Sequence, residues 1–384
     1  MTTAGAGAPS RIAPVDGLRA VAALGVLWAH VWAFTGNPRL LGVPGLAGVD
    51  LNRALAILGT GVDLFFVISG FCMYLMYAGA QSRFTWGAFA SFVQRRWLRI
   101  APAFYAAAIV AAIGHWLAGR AFPWLDLASH LTFTSILLPG VGGLAAPFWS
   151  LATEWHFYLA LPFLIWAAGR LGFWTASALA IAVSLAFRAW MFLTDPGTAL
   201  DWHAQLPARL VEFTWGMCVA RLYAGDVPLP GVLRGSRGFL AGIAIAYLGR
   251  TLAVTEVVAL AGSAGPLLKT ASEPVLAFGY GIALWNVIAS DSPFRRALSH
   301  NVAQAIGRWS YSLYLWHWWP SVWICGLAVG TFGKSVIAQY LALAACVAVL
   351  LPLSWYSYRL FEAPYFRRAR ARERAGRPET QGTQ

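Results

Sequence analysis

Residues 16–30 read Asp16-Gly-Leu-Arg-Ala-Val-Ala-Ala-Leu-Gly-Val-Leu-Trp-Ala-His30, and the only ionisable side chains in the stretch are Asp16, Arg19 and His30. About 20 mainly apolar residues are needed to cross a bilayer as a helix, so this run predicts a membrane-spanning helix. Arg19 and His30 are eleven positions apart. That spacing is about 1100° of helical rotation, so they share one face about 16 Å apart. Ionisable groups inside a span are costly, which makes each a hypothesis for a functional site. The alternative is a packed pair, with Arg19 reaching the lipid headgroups.

The composition is that of a chain solvated by lipid. Of the 384 residues, 59% are hydrophobic and 11% are charged, and the mean hydropathy is +0.61. Soluble proteins carry about 25% charged residues. So few charges cannot cover a surface that faces water. The length allows about ten spans of about 20 residues each.

Ten apolar runs predict an all-α, polytopic integral membrane bundle of about ten transmembrane helices. The runs lie at about 17–36, 54–79, 99–119, 148–169, 171–192, 207–225, 238–253, 274–290, 309–329 and 335–361. We interpret the shorter, more polar segment 126–140 as re-entrant or interfacial. With this count the arginine-rich loops and both termini are cytoplasmic, as the positive-inside rule requires. The acidic stretch 195–201 then lies on the opposite side.

The charge distribution also predicts the domain organisation. The formal net charge is +13, with arginines between the apolar runs and after the last one. This pattern favours anionic membrane lipids as partners and argues against nucleic acid. The chain divides into a polar segment 1–10, a membrane domain 11–366 and a basic, disordered cytoplasmic tail 367–384. No cleavage site follows the first apolar run, so we interpret it as a retained helix and not a signal peptide.

The second run, Gly61-Val-Asp63-Leu-Phe-Phe-Val-Ile-Ser69-Gly70, carries polar side chains at membrane depth. Asp63 could hold the charge of a partner or cap a polar cluster. A nucleophilic role for Ser69 is open, although packing with a local hydroxyl hydrogen bond is favoured. Gly70 allows two helices to approach closely.

Three arginines stand at the start of the third run. Arg99 is four positions after Arg95 and three after Arg96, so the three form one basic face. This face could anchor the helix at the cytoplasmic boundary. It could also act as a phosphate clamp beside Arg19, because a guanidinium group stays charged and matches the geometry of phosphate.

Later runs add two acidic residues and two histidines. Glu154 and His156 open the fourth run among aromatic residues. A belt of aromatic residues at the membrane interface would explain the tryptophans but not Glu154. His317 lies in the middle of the ninth run and could contact a ligand or form a hydrogen bond in the core. Glu362, near the helix stop at Pro364, is expected to pair with nearby arginines.

Other kinds of site find no support in the sequence. The four cysteines, Cys72, Cys218, Cys325 and Cys346, lie in apolar runs, so packing is their expected role. No cluster of His, Cys, Asp and Glu has the spacing of a metal site. No phosphate-binding glycine loop or Ser-His-Asp order stands out.

Taken in order, these stretches resemble the membrane acyltransferase 3 family. The resemblance rests on Arg19 and His30 after Asp16-Gly, Asp63-Leu-Phe-Phe-Val-Ile-Ser-Gly-Phe71, Arg96-Trp-Leu-Arg99-Ile-Ala-Pro102, Trp149-Ser-Leu-Ala-Thr-Glu-Trp-His-Phe-Tyr158, Tyr311-Ser-Leu-Tyr-Leu-Trp-His317 and Glu362-Ala-Pro364. Each piece alone is weak. Six in order over roughly residues 11–366 make a specific match.

The resemblance implies a membrane enzyme that transfers an acetyl or other short acyl group from acyl-CoA. Its acceptor is expected to be a hydroxyl of a cell-surface polysaccharide, a lipid-linked glycan or a glycosylated small molecule, and its location the plasma membrane of a bacterium. At matching positions, His30 is the catalytic histidine, Arg19 is its partner, and Arg96 and Arg99 are the paired arginines of the cytoplasmic side. Some relatives carry a C-terminal hydrolase-like domain, which this chain is expected to lack.

From the residues and the resemblance together, we predict a mechanism. Arg19, Arg96 and Arg99 bind the phosphates of acyl-CoA, and acetyl-CoA is the expected donor. His30 deprotonates the acceptor hydroxyl or first accepts the acyl group itself. Glu154 is a third catalytic candidate, and Glu154 or Asp63 could orient the imidazole or the acceptor.

The remaining candidates complete the predicted site. We expect substrate contacts from Asp63, Ser69, His156 and His317, and no metal. Two rival functions remain. One is a transporter or flippase of glycans or lipid-linked intermediates, and the other is a membrane scaffold without catalysis.

Overall fold

The computed structural model of the protein describes residues 12–41, 49–78, 85–138, 140–141, 143–194 and 202–368. Predictions for the segment 1–10, for the acidic stretch 195–201 and for the tail beyond 368 lie outside the described residues. Within the described ranges every regular element is helical, as expected for the all-α class.

Fifteen α-helices make up the described chain. They are α1 (Ala13–Phe34), α2 (Leu51–Ala54), α3 (Gly61–Ala78), α4 (Trp86–Leu117), α5 (Trp124–Leu131), α6 (Trp149–Leu171), α7 (Phe173–Thr194), α8 (Leu206–Ala224), α9 (Gly235–Leu252), α10 (Thr255–Leu260), α11 (Gly265–Ala289), α12 (Pro293–Leu298), α13 (Asn301–Trp316), α14 (Trp318–Phe332) and α15 (Val336–Ser357). Short 3₁₀ helices occur at Leu55–Thr60, Ser135–Leu137, Ala146–Phe148, Gly231–Leu233 and Gly262–Ala264, and a π-helical turn at Tyr358–Glu362 follows α15.

Five segments of the described chain are long and apolar enough to cross a membrane. They are Ala13–Phe34, Leu51–Tyr77, Trp86–Leu117, Phe173–Thr194 and Val336–Arg368. The other apolar runs are helical as well, but charged residues interrupt some of them. Helix α8, for example, carries Arg209, Glu212 and Arg221. The protein is therefore a helical membrane protein with five spans identified by length and composition.

One predicted span is divided in the structure, and the segment expected not to cross the membrane contains a short helix. The ninth run, 309–329, is not one continuous helix, because α13 ends at Trp316 and α14 begins at Trp318. Pro320 has no N–H to donate to the carbonyl of Trp316, which accounts for the break. Segment 126–140 holds the end of the eight-residue helix α5, which is too short to cross a bilayer.

Helix α1 lies inside the bundle, where it packs against α3, α13 and α14. Val26, Leu27 and Val31 on α1 are almost completely buried. Helix α7 has the opposite character, because its large apolar side chains point outwards. Those exposed residues are Trp174, Leu179, Val183, Trp190 and Leu193. In a membrane they would contact lipid, while α1 provides side chains to the interior.

Helices α3 and α8 pack backbone against backbone. A Cβ atom at Gly70 would lie 2.0 Å from the carbonyl oxygen of Phe213, and one at Gly216 would lie 1.9 Å from that of Val67. Both positions therefore exclude any side chain, and the prediction of a close approach at Gly70 is confirmed. This contact sets the register between two helices that both contribute charged residues to the site.

Candidate active site

Three arginines line one cavity inside the bundle, which we name the arginine cavity. About 760 Å³ of space lies between its lining atoms, part of it open to the outside. Helices α1, α3, α4, α6 and α13 surround it. Its lining includes Arg19, Phe65, Ser69, Cys72, Met73, Arg96, Arg99, Glu154, Tyr158, Ser310, Tyr311 and Tyr314. The three arginines that the sequence assigned to phosphate binding thus meet in one place.

Arg99 has a buried carboxylate partner. Its Nη1 lies 2.7 Å from Oε2 of Glu362, whose side chain is completely buried. The second carboxylate oxygen of Glu362 accepts a hydrogen bond of 2.7 Å from Ser312. The guanidinium group also lies over the rings of Tyr311 and Phe366. The expected pairing of Glu362 with an arginine is confirmed, so Arg99 has a structural role in addition to any ligand contact.

Arg96 and Arg19 have much weaker partners. Arg96 contacts the sulfur atoms of Met73 and Met76 at 3.5 and 3.1 Å, and thioether sulfur is a weak acceptor. Nε of Arg19 donates to Ser310 at 3.4 Å. Among the described residues, neither arginine forms an ion pair with a carboxylate. Two positive charges therefore face the cavity with capacity left for an anion.

Glu154 lies in the arginine cavity, where it supports other polar groups. One of its carboxylate oxygens accepts hydrogen bonds from Ser69 at 2.7 Å and from Tyr158 at 2.6 Å. The Ser69 hydroxyl thus bonds to a carboxylate on another helix, and not locally as the favoured interpretation expected. Glu154 is not among the residues that line the cavity of His30, so the structure gives no support to the idea that it orients that imidazole.

His30 lines a second cavity, the histidine cavity, with about 700 Å³ of space between its lining atoms, part of it open to the outside. Its walls come from α1, α3, α6, α8 and α13 and from the segment that precedes α6. The lining residues are Val26, Ala29, His30, Gly59, Val62, Asp63, Ala146, Pro147, Trp149, Arg209 and Tyr314. Asp63, a predicted substrate contact, thus lies in the same cavity as His30, as the sequence hypothesis requires.

The imidazole of His30 is held by other rings. It stacks on His317 with centroids 5.0 Å apart and meets Trp318 edge-on at 5.1 Å. Nδ1 of His30 lies 3.0 Å from Nε2 of His317, which is almost completely buried. Of the two possibilities for His317, a ligand contact or a core hydrogen bond, the structure shows the second, made directly to His30.

Asp63 faces an arginine that sequence reasoning missed. Nη1 of Arg209 donates to Asp63 at 3.0 Å and to Glu212 at 2.9 Å. The Arg209 guanidinium also lies 5.1 Å from the ring centre of Trp149. Arg209 and Glu212 are charged residues inside an apolar run, three positions apart. The same signal drew attention to Arg19 and could have identified this pair.

The charged network continues away from the histidine cavity. Arg188 is almost completely buried and forms an ion pair with Glu273. It also donates to the backbone carbonyl of Thr270 at 2.9 Å. Glu273 lies 3.9 Å from Nη1 of Arg209. This chain of ion pairs ties α7 and α11 to α8 and holds Arg209 in place.

The two cavities are neighbours, because Val62 and Tyr314 line both of them. We call these two side chains the partition. The Tyr314 hydroxyl donates to the carbonyl of Pro147 at 2.7 Å and lies 2.7 Å from the hydroxyl of Ser150. Helix α1 thus presents Arg19 to one cavity and His30 to the next.

Some predicted residues lie elsewhere. His156 is half-buried and lines neither cavity. The structure therefore does not bring it to the predicted site. Arg95 is exposed, as expected for an anchoring residue. Cys72 is half-buried and lines the arginine cavity, whereas Cys218, Cys325 and Cys346 are buried.

Comparisons with known proteins agree on one family. The model of the acyltransferase domain of the acyltransferase 3 family matches residues 12–359. Acyltransferase MdmB of Streptomyces mycarofaciens is 28% identical over 332 residues, which are 80% of this chain and 78% of that protein. No solved structure matches the chain. The match spans both cavities, and the chain therefore belongs to the acyltransferase 3 family of membrane enzymes that transfer acyl groups.

Proposed function

We propose that the protein is a membrane O-acyltransferase that moves an acetyl or other short acyl group from acyl-CoA to a hydroxyl of a carbohydrate. The acceptor would be a cell-surface polysaccharide, a lipid-linked glycan or a glycosylated secondary metabolite. One observation carries the proposal: a cavity with three arginines and a cavity with a histidine share the partition formed by Val62 and Tyr314. Two substrates can then meet at that wall.

The arginine cavity would bind the donor. Guanidinium groups form charge-assisted, often bidentate hydrogen bonds with phosphate, and coenzyme A carries several phosphate groups. Arg19 and Arg96 are available for such contacts because they form no ion pair within the described residues. An anionic ligand would also offset the cost of keeping these charges inside a membrane protein. The thioester end of the donor would then point towards Tyr314 and the histidine cavity.

The histidine cavity would bind the acceptor. The charged pair of Asp63 and Arg209 offers hydrogen bonds, and the ring of Trp149 beside it offers an apolar face. This combination is suited to binding a sugar. His30 would take the proton of the acceptor hydroxyl while its oxygen attacks the thioester carbonyl. A C–O bond forms, the C–S bond breaks, and the proton passes to the departing thiolate to give free coenzyme A.

The proposed location is the plasma membrane of a bacterium, crossed about ten times, with both termini in the cytoplasm. The charge pattern of the sequence supports this topology. The structure adds support from contacts: Arg99 pairs with Glu362 just after α15, and Arg19 near the start of α1 contacts Ser310. In this topology the arginine cavity would face the cytoplasm, where acyl-CoA is available.

Transfer of radiolabel tests the proposal. Purified protein is incubated with radiolabelled acetyl-CoA and glycan or glycoside acceptors, and label on the acceptor is measured. Removing a positioned base costs about 10²–10⁴-fold in rate. We therefore expect His30→Ala to lose measurable turnover while remaining folded. The control is His300→Asn. His300 is the exposed N-cap residue of α13, and asparagine can form the same capping hydrogen bond.

Each alternative gives a different result in this assay. A transporter or flippase would move the acceptor across vesicles without labelling it, and a scaffold would do neither. Near-normal transfer by His30→Ala would reject the catalytic role of this residue. Failure to label any hydroxyl acceptor from any short acyl-CoA would reject the proposed reaction.

A further inference from the structure

His317 occupies an unusual position, at the break between α13 and α14. Because Pro320 cannot donate to the carbonyl of Trp316, one helical hydrogen bond is missing next to His317, although the backbone of His317 keeps helical dihedral angles. The side chain is only 1% exposed. Its ring packs between Tyr314, at 5.5 Å, and His30, at 5.0 Å between ring centres. The imidazole is therefore fixed in orientation, and both of its nitrogens have partners.

The hydrogen bonds of His317 determine which of its nitrogens carries the proton. Nδ1 lies 2.7 Å from the backbone carbonyl oxygen of Tyr314. A carbonyl oxygen can only accept, so Nδ1 must be the donor. A neutral imidazole has one N–H group, so Nε2 presents a lone pair. A doubly protonated ring would place a charge in a fully buried position, and within the described residues His317 forms no ion pair to compensate for it.

The same reasoning shows which nitrogen of His30 carries the proton. Its Nδ1 lies 3.0 Å from Nε2 of His317, and two lone pairs cannot face each other at that distance. Nδ1 of His30 must therefore carry the proton and donate it. The hydrogen bonds of the described residues leave Nε2 of His30 without a protein partner.

We infer that His317 is a positioning residue that holds His30 in the Nδ1–H form, so that Nε2 is the atom that accepts the proton of the acceptor hydroxyl. This inference rests on the proposed function and adds the atom and the residue that prepares it. During the reaction Nε2 of His30 receives the hydroxyl proton and later gives it to the departing thiolate. Throughout, Nδ1–H donates to His317, whose neutral acceptor nitrogen stabilises the transient positive charge on His30.

Two substitutions at His317 separate positioning from simple packing. His317→Phe keeps an aromatic ring but removes the acceptor. His317→Gln offers an amide oxygen to Nδ1–H of His30 and an amide N–H to the carbonyl of Tyr314. Partners that orient metal-binding histidines typically change activity about 10–100-fold, and we expect a comparable effect on a catalytic histidine. We expect kcat to fall about 100-fold in the Phe variant and to recover at least about tenfold in the Gln variant. The KM for acetyl-CoA should stay within about twofold, because His317 does not line the arginine cavity.

A spectroscopic measurement tests the inference without relying on turnover. In protein labelled with ¹⁵N-histidine, the ¹⁵N shifts of His30 distinguish the two tautomers, and the signals are assigned by their loss in His30→Gln. The wild type should show the Nδ1–H form, the Phe variant should lose it, and the His300→Asn control should retain it.

The outcomes of the two measurements are distinct. An Nε2–H form of His30 in active wild-type protein would overturn the inference, and so would equal kcat values for the Gln and Phe variants. Wild-type protein with the Nδ1–H form but no acyl transfer to any acceptor would instead refute the proposed function.

Discussion

The ion pair between Arg99 and Glu362 makes Arg99 a structural residue as well as a candidate donor contact, and a pair of variants can separate the two roles. Replacing Arg99 by Met keeps the length of the side chain but leaves the carboxylate of Glu362, which is 0% exposed, without its cation. Leaving one partner of a buried pair alone costs about 3–5 kcal/mol. The total stability of a folded domain is about 5–15 kcal/mol, so Arg99→Met should be severely destabilised.

The second variant removes the carboxylate charge as well. In Arg99→Met with Glu362→Gln, the amide oxygen can still accept from Ser312, and no unpaired charge is buried. Replacing both partners of a buried ion pair is often close to neutral. We therefore expect the double variant to recover most of the lost stability. It should not recover donor binding, because a lost phosphate contact of about 1.5–3 kcal/mol weakens binding about 10- to 150-fold.

Thermal unfolding and donor titration measure the two roles separately. A thiol-reactive dye reports unfolding in a Cys72→Ser background, because the other three cysteines are buried in the folded protein. Calorimetry with coenzyme A reports donor affinity. If the single variant melts at the wild-type temperature, the argument about the buried pair is wrong. If the double variant regains donor affinity together with stability, Arg99 does not contact the donor.

Two further predictions concern the partition and the packing of α3. Val62→Ala removes part of the wall between the cavities and leaves room for a longer acyl group. One methylene in a pocket is worth about 1–3 kcal/mol, so the rate with propionyl-CoA relative to acetyl-CoA should rise about tenfold or more. The matched Val62→Trp variant should block transfer, while coenzyme A should still bind and protect Cys72 from alkylation. If neither variant changes the preference between acetyl-CoA and propionyl-CoA, Val62 does not lie on the path of the acyl group. Gly70→Val should cost more than the about 1–3 kcal/mol of ordinary overpacking, since its Cβ would lie 2.0 Å from a backbone oxygen of α8. Gly169→Ala, which meets nothing within 4 Å, is the control, and equal yields of monodisperse protein for the two variants would contradict this packing.

Local patterns in the sequence predicted the helices and the arginine cavity well. Long apolar runs can bury their backbone polar groups in lipid only as helices, so the class follows directly from composition. Arg96 and Arg99 are three positions apart, and helical spacing alone turns both towards the same region. The position of Arg19 beside them was one of two open interpretations of the sequence, because nothing local indicates how α1 and α4 pack.

Partners distant in the chain could not be predicted from local patterns. His30 and His317 are 287 positions apart, and no local rule pairs two histidines over that distance. The sequence instead offered Glu154 and Asp63 as groups that orient the imidazole, whereas the structure uses His317. Arg209 was overlooked although Asp63 needed a cation. The sequence shows that Arg209 is a charged residue inside an apolar run. Its closeness to Asp63 could not be predicted, because it depends on the backbone packing of α3 against α8 at Gly70 and Gly216.

The wall formed by Val62 and Tyr314 has a consequence for the cell as well as for the reaction. A continuous water-filled tunnel between the two chambers would let protons and small ions leak down the electrochemical gradient at every turnover. The barrier is one side chain thick, and the hydrogen bond from the Tyr314 hydroxyl to the Pro147 carbonyl holds it in place. It would need to admit only the acyl group that is transferred. Acyl-CoA, which is large and charged, and its bulky acceptor could then react across this insulating wall without either of them crossing it.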